Sequence, residues 1–312
     1  MQPGNRRAIL AALAANFGIA VAKFIGWAMT GAASLLAEAV HSVADSGNQA
    51  LLLWGGASAE RPATEDHPFG FARERYFWAF VVSLVIFALG SLFATYQGVS
   101  RLLQPHEVTS PMVAVAILAA GIVMEGLSFR TAVVEANKQR KQLGWWSFIR
   151  QSKSPELPVI LLEDLGALLG LTVALVGVGL TSLTGDPRFD ALGSITIGVL
   201  LGVIAVVLAI EMRSLLIGEA ATLEDREAIR QSLSDTPSVE RVIHMRTQHF
   251  GPDQLLVALK VQFETGLTTE GIADGINEAE RRIRARVPAA KLIFIEPDIC
   301  KSGEADVGAD LP

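Results

Sequence analysis

The chain holds a single cysteine, Cys300. That excludes an intramolecular disulfide and any cluster of thiolate metal ligands. Charge is scarce as well: 19% of the 312 residues are Asp, Glu, Lys or Arg, against about 25% in an ordinary soluble domain. Basic residues are in deficit, 26 against 32 acidic ones for a net charge of −6, so the electrostatic footprint of a nucleic-acid binder is missing. No repeat of short period runs through the sequence. The start, MQPGNRRAIL, has a basic region but lacks a small-residue cleavage site, and the apolar stretch continues past Lys23. This reads as a signal anchor rather than a cleaved signal peptide.

What is abundant is apolar sequence, 51% of the residues. Charge is sparse from Ala8 to Gly218 and dense from Glu219 to Arg286, so a membrane domain followed by a soluble one is expected. Six stretches reach the roughly 20 residues that a bilayer requires: about Ile9–Met29, Ala33–Ala57, Phe77–Leu103, Met112–Ala136, Val159–Leu183 and Ala191–Ile217. The first, second and fifth carry polar residues and are expected to line an interior. The third, with aromatics near its ends, is expected to face lipid.

Basic residues set the orientation. Arg6 and Arg7 precede the first stretch, and Arg61, Arg73 and Arg75 follow the second. Lys138, Arg140, Lys141, Arg150 and Lys153 follow the fourth, while the opposite loops hold only Arg101 and Arg188. Positive-inside places both termini in the cytoplasm, with the cell (inner) membrane as the expected location.

Beyond Glu224 the periodicity changes. EDREAIRQSLSD reads as an amphipathic helix and VERVIHMRTQ as a strand. QLLVALKVQF alternates, TTEGIADGINEAERRIRARV is a helix capped by Thr268 or Thr269, and KLIFIEPDI is a last strand. The fold class is therefore an all-α transmembrane domain of six helices with a C-terminal α+β domain of order αββαβ, helices on one sheet face. The expected boundaries are 1–217, 218–300 and a disordered tail over 301–312.

Ionisable residues at membrane depth are expensive and normally functional or paired. The second stretch contains AEAVHSVADSGNQ, in which His41 and Asp45 stand one helical turn apart, with Glu38 and Asn48 along the same stripe. An imidazole and a carboxylate so spaced are half of a tetrahedral divalent-metal site. The alternative is a hydrogen-bonded pair that pins the helix to a neighbour.

In the fifth stretch, Glu163 and Asp164 are adjacent and diverge by about 100° on a helix. One is expected to face the site and the other a second helix or a basic partner. Gly166, Ala167 and Gly170 permit close helix approach. Lys23, seven residues from Asn16, either neutralises a carboxylate such as Glu38 or snorkels. Glu125 stands isolated on the fourth stretch. In the second-to-third loop, Glu65, Asp66 and His67 form either a peripheral metal site or a solvated turn ended by Pro68. His244 and His249, five apart on a strand, lie on opposite faces.

GAASLLAEAVHSVADSGNQALL, DHPFGFARERYFW, the six helices and the C-terminal module together resemble the cation diffusion facilitator family, which exports zinc and related divalent metals. The resemblance runs from about Ala8 to Asp298. EDLGALLG and RERYFW are most similar to the branch that includes the mitochondrial zinc transporter of animals. The resemblance implies a Y-shaped homodimer, a metallochaperone-like cytoplasmic domain and proton-coupled metal exchange between the second and fifth helices.

By motif matching, His41, Asp45 and Asp164 take ligand positions, the last because Gly170 matches a family glycine. Ile160 stands where the remaining ligand belongs, which leaves a water, Asn48 or Glu163 to complete the set. His67 matches a loop ligand, whereas Phe71 stands where a second histidine is common. His244 and Glu296 fall near binuclear-site positions, but Leu259 and Phe294 replace other ligands. The soluble domain is accordingly expected to lack a full binuclear zinc site and to serve dimerisation.

The function expected is export of a divalent cation, zinc before iron, cobalt, nickel, manganese or cadmium, with protons as counter-ion. Two rivals are an intramembrane metalloenzyme, against which no HExxH pairing exists, and a non-transporting scaffold whose polar residues glue helices together. The chain is not expected to be an enzyme.

Overall fold

The computed structural model of the chain describes residues 3–140 and 142–299, with side chains from position 17 onward. The side chain of Asn16, the sole cysteine, the first residues of the expected anchor and the expected disordered tail lie outside the described residues.

Long apolar sequences become helices because only a helix pairs every backbone group within the segment. The chain forms α1 (Pro3–Thr30) and α2 (Ala33–Ala59), which meet at Gly31 with a positive φ of 69°. Then follow α3 (Glu74–Leu103), α4 (Pro111–Arg140), the short α5 (Trp145–Gln151), α6 (Glu156–Thr184) and α7 (Arg188–Ile217). Among the described residues, four of these, α3, α4, α6 and α7, are long and apolar enough to cross a membrane, and Phe17–Thr30 of α1 is a shorter apolar helix. α2 is long enough but is diluted by its polar stripe.

α2 packs against α1, α3 and α6, and α4 against α6. Leu35, Leu118, Leu171, Ile197 and Leu201 form the buried centre of this unit. α3 departs from expectation, because it does not simply face lipid: Tyr76, Val82, Ile86 and Gly90 are buried. The helix widens into a π-helical turn over Ile86–Leu92, and a side-chain carbon at Gly90 would sit 3.8 Å from the His41 ring. π-turns of this kind recur at functional sites.

The chain divides into two compact units. One contains α1, α2 and Glu74–Arg213; the other joins the chain from Ser214 onward to the loop Glu60–Arg73. In the second unit, α8 (Leu223–Ser234) starts at Thr222, whose hydroxyl accepts from the Asp225 amide at 3.1 Å. Strand β1 (Val239–Gly251), β2 (Gln254–Phe263), helix α9 (Thr269–Arg286) and β3 (Ala290–Pro297) follow. Thr268 caps α9 by accepting from the Gly271 amide at 3.2 Å.

β2 is central, antiparallel to β1 and parallel to β3. Its strict alternation buries Leu255, Val257, Leu259, Val261 and Phe263 against Ile229, Leu233, Ala279 and Ile283 of the two helices. The loop Glu60–Arg73 packs on the β1–β2 turn. Phe69 lies 5.3 Å from Phe250, Arg73 stacks on Phe250 at 4.4 Å, and the Gln254 amide donates to the Phe69 carbonyl at 3.1 Å.

Candidate metal centre

His41 and Asp45 lie one turn apart on α2, with His41 Nδ1 3.6 Å from Asp45 Oδ1. That is too long for a hydrogen bond. His41 is 1% exposed, yet among the described residues neither of its ring nitrogens makes a hydrogen bond, and neither does Asp45 Oδ1. Buried polar atoms nearly always carry a partner. A neutral imidazole offers one lone pair and one N–H. That lone pair and the carboxylate oxygen beside it are two donor atoms open to a cation, whereas a helix-pinning pair would have closed its own hydrogen bond.

One turn further, the Asn48 amide donates to Glu163 Oε1 of α6 at 2.6 Å, while Asn48 Oδ1 stays unpaired among the described residues. The neighbouring Asp164 accepts from the Ser128 hydroxyl of α4 at 2.9 Å. The two adjacent carboxylates thus reach different helices, as their angular separation requires. The expectation that only one faces the site is nevertheless corrected, because both line the same cavity.

This cavity, of about 10 Å³, is bounded by Ser42, Asp45 and Gln49 of α2, Glu125 of α4, and Ile160, Glu163 and Asp164 of α6. It has room for about one water-sized ligand. It lies in the seam where three helices meet, so side chains on both sides of the Glu163–Asp164 wedge open into it. Ile160 presents only hydrocarbon there.

Beyond His41 along α2 stands a buried ion pair. Lys23 Nζ of α1 lies 3.2 Å from Glu38 Oε2 and donates to the Ser42 hydroxyl at 2.7 Å. The two charged side chains are 1% and 0% exposed. Lys23 therefore neutralises Glu38 and does not snorkel. The other Glu38 oxygen packs where a side chain on Gly170 of α6 would stand, which gives that glycine a steric role. At the start of α2, Asp190 of α7 accepts from the amides of Ala33 (2.6 Å) and Ser34 (3.2 Å). It closes the N-terminus of the helix that carries the site.

Among the described residues, no three His, Cys, Asp or Glu side chains converge as a ready metal cage. Glu163 and Asp164 are each engaged by a neutral hydrogen-bond donor, and His41 sits a turn deeper than the cavity. Sequence reasoning missed the convergence of Glu125, Gln49 and Ser128 on this place. Glu125 looked isolated because its neighbours come from other helices, although its offset of three from Ser128 puts both on one face of α4.

Other candidates lie in the second unit. His67 is exposed in a tight turn, its amide donating to Thr64 Oγ1 at 3.1 Å and its ring 4.6 Å from that of Phe71. His244 is opposite Lys260 and His249 opposite Leu255, so the two histidines occupy opposite sheet faces. The His244 ring accepts from Arg246 Nε at 2.9 Å. Glu296 lies 3.7 Å from Lys260, which also pairs with Asp298 at 2.7 Å. Leu259 is core and Phe294 is exposed. Resident basic side chains thus engage the two groups nearest the positions of a binuclear metal site.

A bundle of apolar helices with ionisable side chains around an interior cavity has the make-up of a membrane protein with a functional interior. The chain belongs to the cation diffusion facilitator family: the family profile described as "Cation efflux transmembrane domain" matches residues 9–217. Its relatives include the human proton-coupled zinc antiporter SLC30A9, mitochondrial, 32% identical over 85% of this chain and 47% of that protein. Metal tolerance protein C4 of Arabidopsis thaliana is 30% identical over 83% of this chain and 57% of its own length. The cation-efflux pump FieF of Cronobacter sakazakii is 26% identical over 95% and 93%. The chain spans about half the length of the human relative. It is an integral membrane protein of a family of transporters, not of enzymes, and falls with the SLC30A9-like branch.

Proposed function

We propose that the chain exports a divalent metal cation, zinc, in exchange for protons, through the cavity between α2 and α6. The observation that carries this is the buried Asp45 Oδ1, without a hydrogen-bond partner among the described residues, in a carboxylate-lined cavity, with the His41 ring, likewise without one, a turn deeper on the same helix. His41, Asp45 and Asp164 are the proposed ligands, with Glu163 and Asn48 in support. The family match and the zinc antiporter named among the relatives support the cargo and the counter-ion.

The chemistry follows from the donor types. A cation binds only to deprotonated imidazole and carboxylate, so protonation of the same atoms releases it. Imidazole and carboxylate both exchange protons with their metal-bound forms, which suits that coupling. The Asn48–Glu163 and Ser128–Asp164 hydrogen bonds hold the carboxylates apart until a cation draws them in. The buried Lys23–Glu38 pair lies deeper between α1 and α2, and in this proposal alternating access rearranges α1, α2 and α6 around it.

In this proposal α1, α2, α3, α4, α6 and α7 all cross the membrane, the cell (inner) membrane, and both termini are cytoplasmic because the basic loops lie on that side. The αββαβ unit is a metallochaperone-like dimerisation domain of a homodimer. The test uses the purified full chain in proteoliposomes containing a pH-sensitive dye, with zinc, manganese, iron, cobalt, nickel and cadmium offered in turn. Zinc uptake with opposite proton movement is expected. Uptake without a pH change overturns the antiport, and no uptake of any metal overturns the transport reading.

A further inference from the structure

We infer that Glu125 of α4 is a further cation ligand, filling the coordination position that Ile160 cannot supply. The inference rests on the proposed transport site and names a donor from a third helix.

Three observations converge. Glu125 and Ile160 line the same cavity, together with Asp45 and Asp164. The face of α4 that carries Glu125 is the one that meets α6, because Ser128, one turn along, donates to Asp164 at 2.9 Å. Among the described residues no side chain hydrogen-bonds to Glu125, whereas Glu163 is held by Asn48 and Asp164 by Ser128. Asp45, which lines the cavity, has a buried Oδ1 with no hydrogen-bond partner among the described residues, and His41, a turn deeper and 3.6 Å from it, is 1% exposed with neither ring nitrogen hydrogen-bonded. The single imidazole lone pair and the Asp45 oxygen are thus both open to an electron-pair acceptor.

Ile160 is four residues before Asp164, so on α6 the two share a face. A two-helix site would draw a donor from position 160, and this chain offers hydrocarbon there. The side chain of Glu125 enters the same space from across the seam. The resulting set, one imidazole with the carboxylates of Asp45, Asp164 and Glu125, is richer in oxygen than a site with a second histidine. It accepts zinc and admits harder ions such as manganese.

The experiment measures zinc affinity of the purified full chain by competition with a chelating dye at fixed pH. The variants are E125Q, E125A, D45A and the double variant E125A/I160H. E125Q and E125A are expected to weaken zinc binding by about tenfold or more, the scale on which losses around metal sites fall. E125A/I160H is expected to recover most of that loss, because an imidazole at position 160 supplies the missing donor from the α6 side. If both Glu125 variants bind like wild type while D45A does not, Glu125 is no ligand and the transport site stands. If D45A also binds like wild type, the site itself is wrong. If the Glu125 variants weaken binding and I160H restores none of it, Glu125 acts on structure and the inference is overturned.

Discussion

The side-chain amide of Asn48 on α2 donates to the Glu163 carboxylate on α6 across 2.6 Å, and both residues are buried. This bond joins two of the helices that carry the proposed ligands. Removing the amide strands a buried carboxylate, which costs about 1–3 kcal/mol. Asn48→Ala is expected to lower the thermal stability of the metal-free protein. Zinc is expected to raise the variant's melting temperature more than it raises that of wild type, because the cation then gives Glu163 a partner. Equal zinc-induced shifts in the two proteins contradict a role for Glu163 in the cavity.

Lys23 and Glu38 form a pair with almost no exposure. Breaking such a pair leaves an uncompensated buried charge and costs about 3–5 kcal/mol, whereas replacing both members with neutral groups of similar size is often tolerated. Lys23→Met is expected to destabilise strongly, and K23M/E38Q to regain most of the loss. Unfolding by titration with a denaturing detergent reads both. A double variant as unstable as the single one contradicts the pairing.

α3 and α7 approach closely at Gly98. A side-chain carbon there would stand 2.7 Å from both the Ala191 carbonyl oxygen and the Ile195 amide nitrogen. Backbone cannot move aside as a side-chain tip can. Gly98→Ala is expected to cost about 1–3 kcal/mol through forced separation of the helices. Gly126→Ala, with open space around its position, is the matched control and is expected to be neutral or mildly stabilising by the same unfolding assay.

In the second unit, Glu278 accepts from Arg282 and also pairs with Arg281, both on α9. The hydrogen bond from Arg282 is the main influence that lowers the Glu278 pKa. A carboxylate held below its unfolded value stabilises the fold above that value, and the contribution is lost as pH falls through the depressed folded pKa. Glu278→Gln is therefore expected to loosen α9 slightly at pH 7. The difference should vanish under acid conditions where wild-type Glu278 is protonated. Hydrogen exchange of α9 amides at several pH values measures it, and a difference that persists undiminished in acid contradicts the pairing.

Much of this architecture is legible in the chain because backbone pairing in lipid leaves little choice. Apolar runs such as Val159–Leu183 fall inside the observed α6, Glu156–Thr184. The ends extend further because Glu156 and Thr184 complete the helix without adding apolar signal. The alternation of QLLVALKVQF likewise coincides with β2. The π-turn at Ile86–Leu92 carries no proline or charge to announce it, so the burial of α3 against the site was hidden.

At the site, the His41–Asp45 spacing is local and visible. Whether Lys23 would find Glu38, which helix Asp164 would meet and whether Glu125 had company depend on helix rotation and register across the bundle. Periodicity within one segment does not encode these. Gly170 is a middle case: its smallness is evident in the sequence, but that the Glu38 carboxylate lies against it is a fact of packing.

The most direct test of cation passage through this cavity is zinc flux into proteoliposomes carrying wild-type chain or Asp45→Ala, reconstituted to equal density and loaded with a fluorescent zinc indicator. Asp45 bounds the cavity and its Oδ1 has no hydrogen-bond partner among the described residues, so flux is expected in the wild type and should fall to the level of empty liposomes in the variant. Wild-type flux in a folded Asp45→Ala protein would contradict the assignment.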